Sequence, residues 1–287
     1  MTSTTNKAAT AAIYVSRTPP SEATASATVQ QAQLEIAHRK AIVRTPVDSI
    51  PSPLDSIRSS KRSSIALLLH GGCFTAGDHT WNAQQAEALT SELKIITVTF
   101  DFRTTCLQET MSDLLECIDY LRRRYSPVEY SLGVIGCSSA GYFALQLAQQ
   151  LGTIDYVIAL CPVFDPAVRF RYLQDGKIEC DSWLSLDMRT KMQKQQLVYW
   201  QTEQNMIDAA QQLRQGKYKV PTLAIFGNSD ANVPPSMALQ FCEQVVQHDD
   251  RVAVACLEGG HDLCSKPNKL VQDEIAQFIA SCASCSK

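Results

Sequence analysis

Apolar runs of strand length alternate with stretches of helical spacing along most of the chain. The runs fall at Ser64–Leu69, Lys94–Arg103, the stretch from Tyr130, Ile154–Leu160, Thr222–Phe226 and Arg251–Leu257. Runs that are apolar throughout, rather than at every second residue, suit strands buried on both faces. Between them the spacing predicts a helix with Trp81, Ala86 and Leu89 on one face, a helix over Thr110–Arg124, and a helix closing at Leu151. Two more are predicted over Pro235–Val246 and Lys269–Ile279. Strands alternating with helices predict an α/β protein, a mostly parallel central sheet with helices on both faces.

Two segments break the alternation. Residues 167–218 read as helical, polar and glutamine-rich, with Trp183, Tyr199 and Trp200 as apolar anchors, and are expected to form a small helical cap inserted after a strand. Residues 1–33 are rich in Ser, Thr and Ala, a composition that reads as a flexible leader and leaves 34–287 as the folded domain. The leader's shortage of acids also fits an organelle import signal, although arginines are few. Leu34–Val43 fits an edge strand or a first helix, and 44–63, with its prolines and serines, reads as loop.

The sharpest local signal is at Gly136-Cys137-Ser138-Ser139-Ala140-Gly141, where a strand pattern gives way to a helix pattern within a few residues. A turn that tight is crowded, small residues on either side relieve it, and a serine at its apex projects over the C-terminal edge of the sheet. Ser138 and Ser139 both have small residues two positions before and after. Ser138 is preferred because Gly136 then lies where strand meets turn and the Ser139 amide faces the reacting group.

A serine hydroxyl needs a base to take its proton as it attacks. His261, after the strand ending at Leu257 and behind Gly259-Gly260, is the candidate. Asp230, just past the preceding strand, is the acid that would hold that imidazole in the right tautomer. Asp165 also follows a strand, but Asp165-Pro166 reads better as the turn into the cap. Negative charge on the attacked carbonyl needs donors, and the amides of Gly72, Cys73 and Ser139 are the candidate oxyanion hole.

Composition narrows the setting. The chain has 287 residues, 45% of them hydrophobic, with a net charge of −3, so there is no basic field for nucleic acid. No apolar run approaches the roughly 20 residues of a membrane span. Eleven cysteines lie scattered through expected strands and helices, which favours free thiols in a reducing, cytoplasmic setting. Cys282-Ala283-Ser284-Cys285 has CxxC spacing without a second pair and reads as a frayed terminus rather than a metal site; none is expected. The oligomeric state stays open, a homodimer included.

Taken together, His70-Gly71-Gly72-Cys73-Phe74, Asp101-Phe102-Arg103, the serine turn, Asp230-Ala231-Asn232-Val233-Pro234 and Gly259-Gly260-His261 resemble the α/β-hydrolase superfamily over residues 64–279. The order of these stretches is similar to the esterase/lipase branch, related to hormone-sensitive lipase and to feruloyl-esterase-like enzymes. Two departures stand out: Cys73 takes the place of a third glycine, and Ala140 that of the glycine two past the nucleophile. The resemblance implies that His70 orders its own loop. It also implies a cofactor-free esterase acting on a small ester through an acyl-enzyme. The same groups could cleave an amide, a formamide or an acyl-peptide, and a non-catalytic ligand receptor on this fold is the third reading. Asp101 and Arg103 are expected to pair beneath the site. Trp81, Tyr142, Trp183 and Trp200 are candidate pocket walls, and His38, His79 and His248 have no evident partners.

Overall fold

The computed structural model describes residues 14–15, 29–36, 38–46, 62–178 and 186–285. Most of the expected leader, most of the 44–63 loop and Trp183 lie outside them. In chain order the strands are β1 (Tyr14–Val15), β2 (Val29–Ile36), β3 (Arg39–Pro46), β4 (Ser63–Leu69) and β5 (Ile96–Phe100), then β6 (Tyr130–Cys137), β7 (Tyr156–Leu160), β8 (Thr222–Gly227) and β9 (Val252–Leu257). The helices are α1 (Ala83–Leu93), α2 (Leu107–Arg124), α3 (Ser139–Gln150), α4 (Pro166–Gln174), α5 (Leu186–Trp200), α6 (Glu203–Gln215), α7 (Pro235–Phe241) and α8 (Lys269–Cys285). All strands join one sheet in the order β1-β9-β8-β7-β6-β4-β5-β3-β2.

From β9 to β5 every pairing is parallel. Successive side chains of a strand point to opposite faces, so each run feeds two cores. Leu67, Val98, Val134, Val157 and Ala224 join one, packed under α2 and α3. Ala66, Leu68, Ile135, Ile158 and Ile225 join the other, against Ala86 and Leu89 of α1 and Val271 and Ile275 of α8. Burying each Val, Leu or Ile among them contributes about 1.5–3 kcal/mol, which is why these strands are apolar on both faces apart from buried threonines such as Thr97 and Thr99 of β5.

The structure settles one open alternative and departs from the expectation elsewhere, beginning with β1, which lies inside the expected leader and pairs in parallel with β9. The ambiguous 34–43 segment is an antiparallel hairpin, with Leu34 opposite Ala41 and β3 antiparallel to β5. Strand β2 takes up Val29–Gln33, residues assigned to the leader, because its ladder with β3 runs to Val29 opposite Pro46. At the other end α8 continues to Cys285, so the CxxC lies on a helix rather than in a frayed tail. There Cys282 packs against the second core.

Between β7 and β8 the chain forms α4, α5 and α6. The amide of Gln149 in α3 donates to the Leu213 and Gly216 carbonyls at 2.8 and 3.1 Å, which anchors α6 to the helical layer.

Two glycines test the packing. A Cβ on Gly133 would lie 2.0 Å from the Tyr156 ring, which is buried and tied to Ser64 by a 2.7 Å hydrogen bond, whereas one on Gly152 meets nothing within 4 Å. Gly133→Ala should lower unfolding stability by about 1–3 kcal/mol and Gly152→Ala should leave it nearly unchanged, as read by urea denaturation.

Candidate active site

Strand β6 ends at Cys137 and α3 begins at Ser139, so the whole turn is one residue, Ser138, at φ 55° and ψ −120°. A side chain in this region costs of order 1–3 kcal/mol and persists only where its surroundings enforce it. Here the Ser138 amide donates to the Leu160 carbonyl at 2.8 Å, and its own carbonyl accepts from Gly141 and Val163 at 2.9 and 3.1 Å. Gly136 is obligatory: a Cβ there would lie 2.3 Å from the Ala140 carbonyl oxygen. Ser139 is buried as the first residue of α3. Ser138, not Ser139, occupies the apex.

The loops after β8 and β9 bring two more groups to that apex. His261 Nε2 lies 2.9 Å from Ser138 Oγ, and its Nδ1 lies 2.8 Å from Asp230 Oδ2. Asp230 is buried, and its other oxygen accepts from the amides of Asn232 and Val233, both at 2.8 Å. A carboxylate so held accepts the Nδ1 proton and leaves Nε2 free to accept from the serine. Burial lowers the proton affinity of His261. The Asp230 hydrogen bond and a contact with Cys161 outweigh it and raise the pKa from 6.5 to about 9. The Asp230 contribution is the one that operates near neutral pH, because contact with Cys264 and burial keep the Cys161 thiol protonated.

The loop after β4 lies directly on this serine. A Cβ on Gly71 would sit 3.0 Å from Ser138 Cβ. Gly72, Cys73 and Phe74 follow at φ 127°, 55° and 72°. The Gly72 carbonyl accepts from the amides of Thr75 and Ala76, and neither bond uses the amides of Gly72 or Cys73. The Ser139 amide, at the first position of α3, has no acceptor within its helix. His70 is buried, stacks on Phe102 with ring centres 4.1 Å apart, and donates from Nδ1 to the Gly71 carbonyl at 2.8 Å. Burial holds its pKa below 6.5. It orders the loop as a neutral ring.

Residues 100–285 match the prolyl oligopeptidase family. The chain belongs to that family. It is a serine hydrolase of the α/β-hydrolase fold, similar in architecture to solved esterases. A fungal esterase of Rhizomucor miehei superposes with a TM-score of 0.66 at 13% identity, covering 91% of this chain and 85% of that one. The hyperthermophilic esterase of Pyrobaculum calidifontis gives 0.64 at 15%, with 90% and 86% covered. An esterase/lipase from an uncultured bacterium gives 0.64 at 14%, with 89% and 84% covered. No curated protein matches the sequence. At these identities the likeness speaks for the fold.

Several neighbours of the site depart from expectation in this member of the prolyl oligopeptidase family. Asp101 and Arg103 do not pair. Asp101 accepts from the His79 amide and lies 2.7 Å from its Nδ1, while Arg103 forks onto Asp113 and reaches Glu109 at 3.1 Å. Each has its partner on another segment, His79 before β5 for Asp101 and Asp113 of α2 for Arg103. Asp165 caps α4 through the Val168 amide at 2.9 Å and pairs with Arg214, which leaves His261 to Asp230. Among the aromatic candidates, Tyr142 and Trp200 are buried and pack with Phe74 and Tyr199, joining the end of α5 to the loop after β4, whereas Trp81 is exposed. His38 has a partner too, Glu35 at 3.3 Å.

The sequence reading missed Cys161, Cys264 and Arg169. The Cys161 and Cys264 sulfurs and a His261 ring nitrogen lie within 4.8 Å of one another, a spacing a soft metal would fit. Both ring nitrogens of His261 are already engaged by Asp230 and Ser138, so a metal there would compete with them. Cys161 is signalled only by following a strand.

The strain at residue 138 has a direct test. Ser138→Gly removes the side chain that makes φ 55° costly and Ser138→Ala keeps one, so the glycine variant should unfold about 1 kcal/mol later than the alanine variant in chemical denaturation.

Proposed function

We propose that this protein hydrolyses small carboxylic esters through an acyl-enzyme formed on Ser138. The observation that carries the reading is the unbroken relay from Ser138 Oγ to His261, 2.9 Å, and from His261 to Asp230, 2.8 Å, on a strained turn. In the first half, His261 Nε2 takes the hydroxyl proton as Oγ bonds to the acyl carbon. The carbonyl π pair moves to oxygen, where the amides of Gly72, Cys73 and Ser139 receive it. When the pair returns, the C–O bond to the alcohol breaks and the imidazolium gives its proton to the leaving oxygen. In the second half water repeats the sequence and releases the acid from Ser138. Asp230 keeps the imidazole in one tautomer and balances its transient charge. Each proton is carried by a named side chain, so these steps call for no cofactor.

Membership of the prolyl oligopeptidase family favours a second reading, an amide or acyl-peptide substrate cleaved by the same groups. The difference would lie in the leaving group and in residues 167–218, which we assign as the cap that shapes the pocket. Rates on p-nitrophenyl acyl esters, formanilides and acyl-peptides separate the two readings. We also infer a reducing setting such as the cytoplasm, supported by nine free cysteines among the described residues. Among those residues no helix is long and apolar enough to cross a membrane.

A fluorophosphonate probe should label the protein on Ser138, and Ser138→Ala should abolish labelling and cut ester turnover at least roughly 10⁴-fold. Labelling that survives Ser138→Ala and disappears in Ser139→Ala would move the nucleophile by one residue. No labelling of the folded protein at all would leave the receptor reading.

The pH profile provides a second check. His261 acts as base only when neutral, so kcat/KM should fall as pH drops through its pKa. Because that pKa is raised from 6.5 toward about 9, the acid limb should lie above 6.5. Asp230→Asn should shift the limb downward and lower kcat by roughly 10⁴-fold.

A further inference from the structure

Arg169, on the first turns of α4, is a buried cation with no carboxylate of its own. It is 2% exposed. Its Nε donates to Asn232 Oδ1 at 3.1 Å, its Nη2 donates to the same oxygen, and Nη2 lies 3.9 Å from Cys73 Sγ. Nη1 is buried and has no hydrogen-bond partner among the described residues. No acid of the described residues forms an ion pair with it. The nearest acid along α4, Asp165, is taken by Arg214 and the cap of its own helix.

Desolvating a charge costs several kcal/mol unless an opposite charge is supplied, and proteins seldom leave such a group unanswered. A bridge between α4 and the loop after β8 needs no charge; a neutral amide would serve. The two residues Arg169 touches are informative. Cys73 belongs to the proposed oxyanion loop, and Asn232 is two residues beyond Asp230. The guanidinium therefore stands between the two loops that flank the reacting centre, with Nη1 uncommitted and the second side of Nη2 held only by the 3.9 Å contact to a sulfur.

We propose that Arg169 is the anion-recognition residue of this site, and that the substrate is an ester bearing a second, free carboxylate. The inference rests on the reading under Proposed function and narrows its substrate class. A planar carboxylate matches the guanidinium fork with two parallel N–H···O bonds and supplies the missing counter-charge. A neutral ester of equal size would leave the cation unanswered, which is the strong form of discrimination by a buried polar group.

The test uses ketone analogues, which have the shape of an ester but no bond to hydrolyse. On the acyl side 6-oxoheptanoate is compared with 6-oxoheptanamide, and on the alcohol side 4-acetylbenzoate with 4-acetylbenzamide, by calorimetric binding to the full chain. In at least one pair the carboxylate should bind roughly ten- to a hundredfold tighter than its amide. Arg169→Gln should bring that ratio to about one, and Arg169→Lys, which keeps the charge and loses the fork, should leave an intermediate ratio. Equal binding within both pairs by the wild-type protein overturns the proposal on its own. So does a preference that survives in either variant undiminished; the lysine variant decides if the glutamine variant does not fold. Fluorophosphonate labelling is run alongside. A carboxylate preference without labelling would sink the hydrolase reading and leave the anion site standing, and labelling without the preference would do the reverse.

Discussion

The turn at Ser138 is the constraint that orders the rest of the site. One residue converts a buried strand into a buried helix, and it does so in a conformation that costs energy. That cost is met by neighbours: the end of β7 holds the amide, the residues after β7 hold the carbonyl, and Gly71 on the loop after β4 and Gly136 in β6 leave room. None of those contacts involves the hydroxyl, which is why it stays available to His261. The orientation of Ser138 is thus a property of the sheet. A loop serine could reach the same place but would spend entropy to stay there.

The acid is held in a comparable way. Both oxygens of Asp230 have fixed partners, two backbone amides on one and the imidazole on the other. A buried carboxylate held by three hydrogen bonds is fixed in place, so its field on His261 is set before any ligand arrives. Rigidity at Ser138 and at Asp230 fixes the partners on both sides of the His261 ring.

How legible this was depends on what each feature is made of. The core of the fold was readable because two-sided burial forces Ile65–Leu69, Tyr156–Leu160 and Leu223–Phe226 to be apolar throughout, a property of consecutive residues. Ser138, Asp230 and His261 were readable because each follows such a run in an order the topology dictates. The β2–β3 hairpin was not, since an edge ladder buries little and Val29–Gln33 carries few apolar residues. The Asp101 and Arg103 partners were not either. His79 and Asp113 lie 22 and 10 residues away, and a hydrogen bond across such a gap leaves no periodic trace. The only hint of Arg169 is its position four residues after Asp165, and that spacing suggests a surface pair on one helix face.

Helix α4 carries the contrast that bears most on specificity. Asp165 and Arg169 are one turn apart and both buried, so the nearest solution to two desolvated charges would be to pair them with each other. Instead Asp165 caps its helix and binds Arg214 of α6, which ties α4 to α6. Arg169 is left with a neutral amide oxygen and a sulfur beside the loops after β4 and β8. Using a distant arginine to satisfy the acid ties the helices together and leaves the near arginine without a carboxylate. An unanswered buried guanidinium opposes folding, so glutamine or methionine at this position would be the more stable choice. An anion bound beside it would supply the missing counter-charge.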